Sequence, residues 1–165
     1  MELIYVKLED ASSWKQIHVR VKEVFEKGGT VLFPTDTIYG LGCDALNSKA
    51  VQKVILIKRR DPQKSFPVFV RDISQARSIA QINKAQECFL KKAWPGKVTA
   101  VCEKRTELSA VVTGGKNTVG MRVPNFSFLN TLMGTLFFPI IGTSANISKE
   151  ETFLDGRSAF LFFQE

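Results

Sequence analysis

Four cations fall within seven residues of the stretch "IKRRDPQK": Lys58, Arg59, Arg60 and Lys64. The forked guanidinium of arginine can hold two phosphate oxygens, while lysine acts as a compact charge. The stretch follows a predicted helix, so the alternative is that these cations only offset the helix dipole, an effect of about 0.3–1 kcal/mol. The two interpretations are balanced for this stretch alone, although four cations exceed what a dipole needs.

The stretch "PTDTIYGLG" places Thr35, Asp36 and Thr37 after "TVLF", which is predicted to be a buried central strand. Ligands of open α/β sheets bind beyond strand ends, and Gly40 and Gly42 would let a ligand approach the backbone. The alternative is an Asx or ST turn whose side chains bond only their own backbone. The motif in isolation favours the turn.

Two further motifs carry polar side chains on predicted strands. In "GTSANIS", Ser144 and Asn146 can hydrogen-bond a nucleotide phosphate or base, or can simply form a polar turn. In "NTVGMRVP", Thr118 and Arg122 have an even spacing, so both face one side of a strand. A buried arginine needs an anionic partner, and both a protein carboxylate and a substrate carboxylate remain open.

The composition narrows the class of protein. The 165 residues suit one domain, and the net charge of +7 favours an anionic partner such as nucleotide phosphates or RNA. No apolar run is long enough to span a bilayer, and the N-terminus lacks a basic signal-peptide region. The separated cysteines Cys43, Cys88 and Cys102 favour reduced thiols, so we expect a cytoplasmic protein without membrane contact.

Several common catalytic devices are absent from the sequence. The one histidine, His18, is interpreted as a surface or half-buried residue of the first helix rather than a catalyst, so a Ser-His-Asp triad is not expected. Neither a Walker A sequence nor a GxGxxG after a strand is present. A nucleotide would therefore bind through a less common arrangement.

Hydrophobic periodicity predicts an α/β fold, a single domain over residues 1–165 with a twisted mixed β-sheet and flanking helices. "LIYVKL" is predicted to be a strand, and Ser12 or Ser13 to cap a helix that runs through Lys27. Ser48 is predicted to cap a second helix that ends near Pro62. The tail "FLDGRSAFLFFQE" is interpreted as a turn and one more strand.

The motifs, taken in order, resemble the YrdC/Sua5 family, the L-threonylcarbamoyladenylate synthases. The matching pieces are "PTDTIYGLGCDA", "IKRRDPQKSFPV", "WPGKVTAV", "TVGMRVP" and "GTSANIS", between about Gly28 and Ser148. The family signature is Lys-x-Arg followed far downstream by Ser-x-Asn, which here is Lys58-Arg59-Arg60 and Ser144-Ala145-Asn146. The resemblance implies a YrdC-like sheet with a basic concave face.

The resemblance also implies an activity. Such enzymes combine L-threonine, bicarbonate or CO2 and ATP with Mg2+, without a prosthetic group, and release pyrophosphate and threonylcarbamoyl-AMP. A threonylcarbamoyl transferase complex then modifies position 37 of tRNA (t6A). The alternative is a non-catalytic member that binds double-stranded RNA or tRNA. A carbamoyl-transfer role, as in hydrogenase-maturation proteins, ranks last because those proteins are larger.

The family roles fall on particular residues of this chain. The resemblance makes Lys58, Arg60, Ser144 and Asn146 catalytic, and makes Arg60, Lys64, Thr118, Ser144 and Asn146 the ATP-binding set. It assigns Thr35, Thr37 and Arg122 to L-threonine, with Thr37 expected to face the substrate, and gives no protein ligand for a metal.

Two departures from the family pattern accompany these roles. Lys149 stands where the family usually has a glycine, and the segment after Ser-x-Asn is expected to be shorter than usual, with Arg157 and Ser158 as possible replacements.

Overall fold

The computed structural model describes residues 2–105, 108–148, 150, 153 and 155–164. The strands are β1 (Val31–Phe33), β2 (Gly40–Asp44), β3 (Val68–Phe69), β4 (Ala100–Glu103), β5 (Thr118–Arg122) and β6 (Ile140–Ser144). The helices are α1 (Trp14–Glu26), α2 (Ser48–Ile57), α3 (Ile73–Ile79), α4 (Lys84–Ala93), α5 (Ala110–Thr113), α6 (Ser127–Gly134) and α7 (Gly156–Gln164).

The six strands form one sheet in the order β1-β2-β6-β3-β5-β4. Only β3 and β5 run parallel, and the other neighbouring strands are antiparallel. The prediction of a mixed sheet with flanking helices is therefore confirmed. The basic concave face stays a prediction.

Helices cover the sheet on both faces. On one face, sheet residues such as Leu41, Val68 and Met121 join a buried cluster with residues of α2, α3, α4 and α5. On the other face, Phe33 and Phe69 belong to a second cluster, with residues of α1 and α6. This second cluster leaves the neighbouring part of its face open for the cleft described below.

The end of α2 sets the position of the Lys-x-Arg stretch. The Arg59 amide donates to the Leu56 carbonyl and the Arg60 amide to the Ile55 carbonyl, both at 3.0 Å. This pair of bonds is a Schellman ending, and Arg59 occupies its left-handed position with a φ of 45°. The start of α2 is capped by Asn47 rather than by Ser48, since the Asn47 side chain accepts from the Ala50 amide at 3.1 Å.

The "TVLF" prediction is correct as a strand and wrong in its location. Within the described sheet β1 pairs only with β2, so it is an edge strand, and Val31 and Leu32 are half-buried. The predicted strand "LIYVKL" does not form in the structure. A strand needs a neighbour for its backbone groups, and β2 is the neighbour that β1 has.

The tail is a helix and not the predicted strand. The Asp155 carboxylate accepts from the Ser158 amide at 2.8 Å and from the Ser158 hydroxyl at 2.7 Å, and so caps the start of α7. These bonds hold the pKa of Asp155 below its usual value. Ser158 therefore serves the helix cap, whereas the aromatic residues of α7 had suggested a strand.

His18 is buried rather than near the surface. It is 3% exposed and packs between Trp14 and Phe128. Burial lowers its pKa, so the neutral imidazole is favoured there. In the part of the chain that the structure describes, every helix is too short or too polar to cross a lipid bilayer.

Candidate active site

A row of glycines crosses the sheet face that carries the site. Gly42 pairs with Gly142, and the Gly142 amide donates to the Pro67 carbonyl at 3.1 Å. Val68 of β3 pairs with Ile141 of β6 and with Met121 of β5. The preceding residue, Pro67, therefore lies between Gly142 and Gly120, and Gly120 continues the row. A Cβ at Gly142 would overlap the Phe69 ring, and a Cβ at Gly42 would lie 2.8 Å from the Phe33 ring, so these glycines let aromatic rings approach the sheet closely.

Ser144 and Thr118, predicted to bind the nucleotide, lie on one side of this glycine row, and Arg122, predicted to bind threonine, lies on the other. Thr35 lies beside Gly40, which pairs with Ser144. In the same register, Ser144 on β6 and Thr118 on β5 lie in the neighbouring row. The two residues are two strand spacings apart, or about 10 Å. Arg122 lies in the row on the other side, beside Phe69. Arg122 is four residues from Thr118 along β5, or about 13 Å.

A cleft lies between this face and the loop that joins β1 to β2. Its volume is about 140 Å3, which suits a small ligand, since drug-sized ligands occupy pockets of roughly 300–1,000 Å3. Among its lining residues are Thr35, Thr37, Tyr39, Phe69, Thr99, Arg122, Gly142, Thr143 and Ser144. The cleft thus contains both predicted threonine-side hydroxyls, Arg122 and Ser144, but not Thr118.

The two threonine hydroxyls of the loop have different roles. The Thr35 hydroxyl donates to the Ile38 carbonyl at 2.7 Å and accepts from the Thr37 amide at 3.1 Å, which is the predicted ST turn. The Thr37 hydroxyl lies 3.0 Å from the Thr35 hydroxyl. Since Thr35 has already given its one proton to Ile38, Thr37 must be the donor, and its own oxygen is left to accept from a ligand.

Arg122 has a protein carboxylate as partner. Its Nη2 donates to Asp36 Oδ2 at 2.6 Å and its Nε donates to the Gly96 carbonyl at 2.9 Å. The Asn125 amide also donates to Asp36 Oδ2, at 3.1 Å. Three N–H groups of the guanidinium remain after these bonds, so Arg122 can still receive a substrate carboxylate.

Lys58 is buried behind the loop that carries Ser144 and Asn146. Its Nζ donates to the Ser144 carbonyl, to the Asn146 carbonyl at 2.6 Å and to Asn146 Oδ1 at 3.1 Å. The Ser144 hydroxyl donates to the same Asn146 Oδ1 at 2.6 Å. The structure therefore joins the two halves of the Lys-x-Arg and Ser-x-Asn signature directly. Burial, helped by the charge of Arg60, lowers the pKa of Lys58 to about 8.

Arg60 reaches the same end of the sheet as Ser144. Its Nη2 donates to the Ser65 carbonyl at 2.9 Å, and its guanidinium lies 4.7 Å from the centre of the Phe66 ring. Burial lowers the pKa of Arg60. Lys64 is exposed beside it. Arg60 is therefore half-buried and Arg59 and Lys64 are exposed, whereas Lys58 points into the protein.

Sequence reasoning missed several contributors to the site. Asp36 was singled out as a turn residue but not as the partner of Arg122, and Gly96 was quoted only within the motif "WPGKVTAV". Thr99, the residue before β4, and Thr143 both line the cleft. The strand pairing that places them is a long-range property that no local pattern shows. The departure at Lys149 lies outside the described residues.

Comparison with known proteins gives consistent matches. The family model for Sua5, YciO and YrdC, described as "Telomere recombination", matches residues 23–164. A threonylcarbamoyl-AMP synthase from Psychromonas ingrahamii is 30% identical over 145 residues, which cover 86% of this chain and 76% of that protein.

Two solved structures share the fold. P. abyssi Sua5, solved in complex with L-threonine, matches with a TM-score of 0.83 and 30% identity over 88% of this chain and 43% of the Sua5 chain. The chain therefore spans less than half the length of that relative. E. coli YciO matches with a TM-score of 0.81 and 24% identity, over 91% of this chain and 74% of YciO, which supports the fold alone.

Proposed function

Because the chain belongs to the Sua5/YciO/YrdC family, we propose that it makes threonylcarbamoyl-AMP and pyrophosphate from L-threonine, bicarbonate or CO2, and MgATP. The observation that carries the proposal is the arrangement of the sheet face. Ser144 and Thr118 lie on one side of the glycine row and Arg122 on the other. A nucleotide and an amino acid could meet across this row, in the cleft that Gly142 and Phe69 line.

The reaction requires positioning and fixed positive charge more than a protein nucleophile. The threonine amine adds to CO2 and loses a proton, and a carbamate oxygen attacks the α-phosphorus as pyrophosphate leaves. Negative charge then builds on the phosphoryl oxygens, where fixed donors are most effective. Arg60 and Lys64 would supply this charge.

The threonine side of the cleft supplies complementary groups. The remaining N–H groups of Arg122 would bind the α-carboxylate in a forked arrangement. The Thr37 oxygen would accept from the amine, while Thr35 keeps the loop in shape. Asp36 would hold the Arg122 guanidinium in place through their ion pair.

Mg2+ enters this proposal as part of the MgATP substrate. Magnesium is commonly held by substrate phosphates with one or two carboxylates. Within the described ranges, no group of three or more histidine, cysteine or acidic side chains is placed to hold a metal ion. The product would pass to a threonylcarbamoyl transferase complex that modifies position 37 of tRNA.

The direct test is pyrophosphate release from ATP. We expect release to require both L-threonine and bicarbonate, and to fall by about tenfold or more in Arg60→Ala, since a cation near the transferring phosphoryl group is lost. Lys15→Ala is the matched control, because it removes an exposed charge on α1. Release that is independent of threonine, or unchanged in Arg60→Ala, would contradict the proposal.

A further inference from the structure

The ammonium group of Lys58 is enclosed by oxygen atoms of one loop. Lys58 is 1% exposed and follows the last residue of α2. Two backbone carbonyls, of Ser144 and Asn146, and the Asn146 side-chain oxygen converge on its Nζ. An ammonium has three protons, so these acceptors use all of them and leave none for a phosphate.

Backbone hydrogen bonds also hold the loop in place, and one of them is to Lys58. The Ser148 amide donates to the Lys58 carbonyl at 2.9 Å, and the Ala145 amide donates to the Tyr39 carbonyl at 2.9 Å. Converging carbonyl dipoles repel one another unless a donor or cation lies between them. Lys58 is the cation that lies between them here.

We propose that Lys58 is a positioning residue, whose ammonium holds the 144–148 loop in its binding shape without contacting the nucleotide itself. The nucleotide part of this inference rests on the proposed function. The loop geometry that carries the inference does not depend on that function. The inference separates Lys58 from Arg60, which is half-buried, and from Lys64, which is exposed.

The clamp depends on the proton of Lys58. The loop presents neutral oxygens to Nζ, and Arg60 is the charged group that acts on it, so burial and this neighbour lower the Lys58 pKa from 10.5 to about 8. Between about pH 8 and pH 10.5, Lys58 is protonated in the unfolded chain but largely deprotonated in the folded protein. Its contribution therefore makes the free energy of unfolding rise with pH in this range. Since pH 7 lies below the folded-state pKa of about 8, Lys58 is mostly protonated there and the clamp keeps its three donors.

The first experiment measures amide hydrogen exchange at residues 145–148 in the protein without nucleotide. After correction for the intrinsic rate, we expect Lys58→Met to exchange about tenfold faster than wild type near pH 7. In wild type, which needs no variant to fold, the Lys58 ammonium should give a slowly exchanging 15N NMR signal near pH 6, since its three protons are all donated. Equal protection in both proteins, or a Lys58 ammonium that exchanges as fast as an exposed lysine, would overturn the inference.

The second experiment separates positioning from phosphate contact. We measure the affinities of AMP, ADP and ATP, and expect Lys58→Met to weaken all three by a similar factor, about tenfold. Lys64→Met serves as the comparison, since loss of a phosphate contact should weaken ATP more than AMP. A Lys58→Met effect that grows with phosphate number would overturn the inference. If wild type binds no nucleotide, the proposed function fails, while the exchange experiment still tests the clamp.

Discussion

At the scale of single residues, the Arg122–Asp36 ion pair organises the threonine side of the cleft. The two side chains are 12% and 9% exposed, and the ion pair is reinforced by Gly96 and Asn125. Asp36 Oδ1 is buried and lacks a hydrogen-bond partner among the described residues. Asp36 therefore depends strongly on Arg122, and the two residues should behave as one unit.

We expect Asp36→Ala to lower the free energy of unfolding by about 3 kcal/mol, because it leaves the Arg122 charge buried without its partner. Urea denaturation measures the change. Glu9→Ala, at an exposed carboxylate, is the control and should change stability by less than about 0.5 kcal/mol. If the two variants were equally stable, the Arg122–Asp36 ion pair would not contribute to the stability of the protein.

Arg59 carries backbone strain at the end of α2. Its φ of 45° lies in the left-handed region, which costs a residue with a Cβ about 1–2 kcal/mol. We expect Arg59→Gly to raise the free energy of unfolding by about 1 kcal/mol, as measured by thermal or urea denaturation. Arg59→Ala keeps the Cβ and should bring no such gain, so a gain in both variants would trace the effect to the charge instead.

At the scale of elements, the glycine row sets how closely the sheet and Phe69 approach. A Cβ at Gly142 would overlap the Phe69 ring, so we expect Gly142→Ala to destabilise the protein by about 1–3 kcal/mol. A Cβ added at Gly134, at the end of α6, would meet no atom of the described residues within 4 Å, so Gly134→Ala should be neutral or slightly stabilising. Similar losses in both variants would contradict this account, and denaturation curves measure both.

The sequence predicts elements better than their arrangement. The helix predicted between Ser48 and Pro62 does form, because a helical repeat of apolar residues is a local pattern, and Ala50, Val51 and Val54 are its buried residues. The strand predicted at "LIYVKL" and the strand predicted for the tail were wrong, since both have strand-like residues but tertiary context decides. The central position expected for β1 was wrong for the same reason, because strand order depends on residues far apart in the chain.

In the candidate site as well, local features were predicted from the sequence and long-range partners were not. The sequence indicated that Arg122 needed an anionic partner, because an unpaired buried charge is too costly. It did not identify Asp36, which lies 86 residues earlier in the chain. It likewise grouped Lys58 with Arg60 as cations facing a ligand, while the structure turns Lys58 inward.

At the scale of the whole molecule, the net charge of +7 supports the alternative function of RNA binding. If tRNA or double-stranded RNA binds through this charge, we expect its Kd to rise at least about tenfold between roughly 50 and 200 mM salt. Filter binding or fluorescence anisotropy measures the slope. Weak binding that hardly changes with salt would count against this alternative and leave the synthase proposal unaffected.

The long-range contacts of the site also bear on when it forms during folding. Lys58 meets Ser144 across 86 residues, and Arg122 meets Asp36 across the same separation. Contacts of such high sequence separation form after loop closure has brought distant segments together, and they slow folding. A nascent chain would have to reach the 144–148 loop before its Lys-x-Arg stretch acquired its final surroundings. The cleft should therefore be among the last parts of the protein to mature.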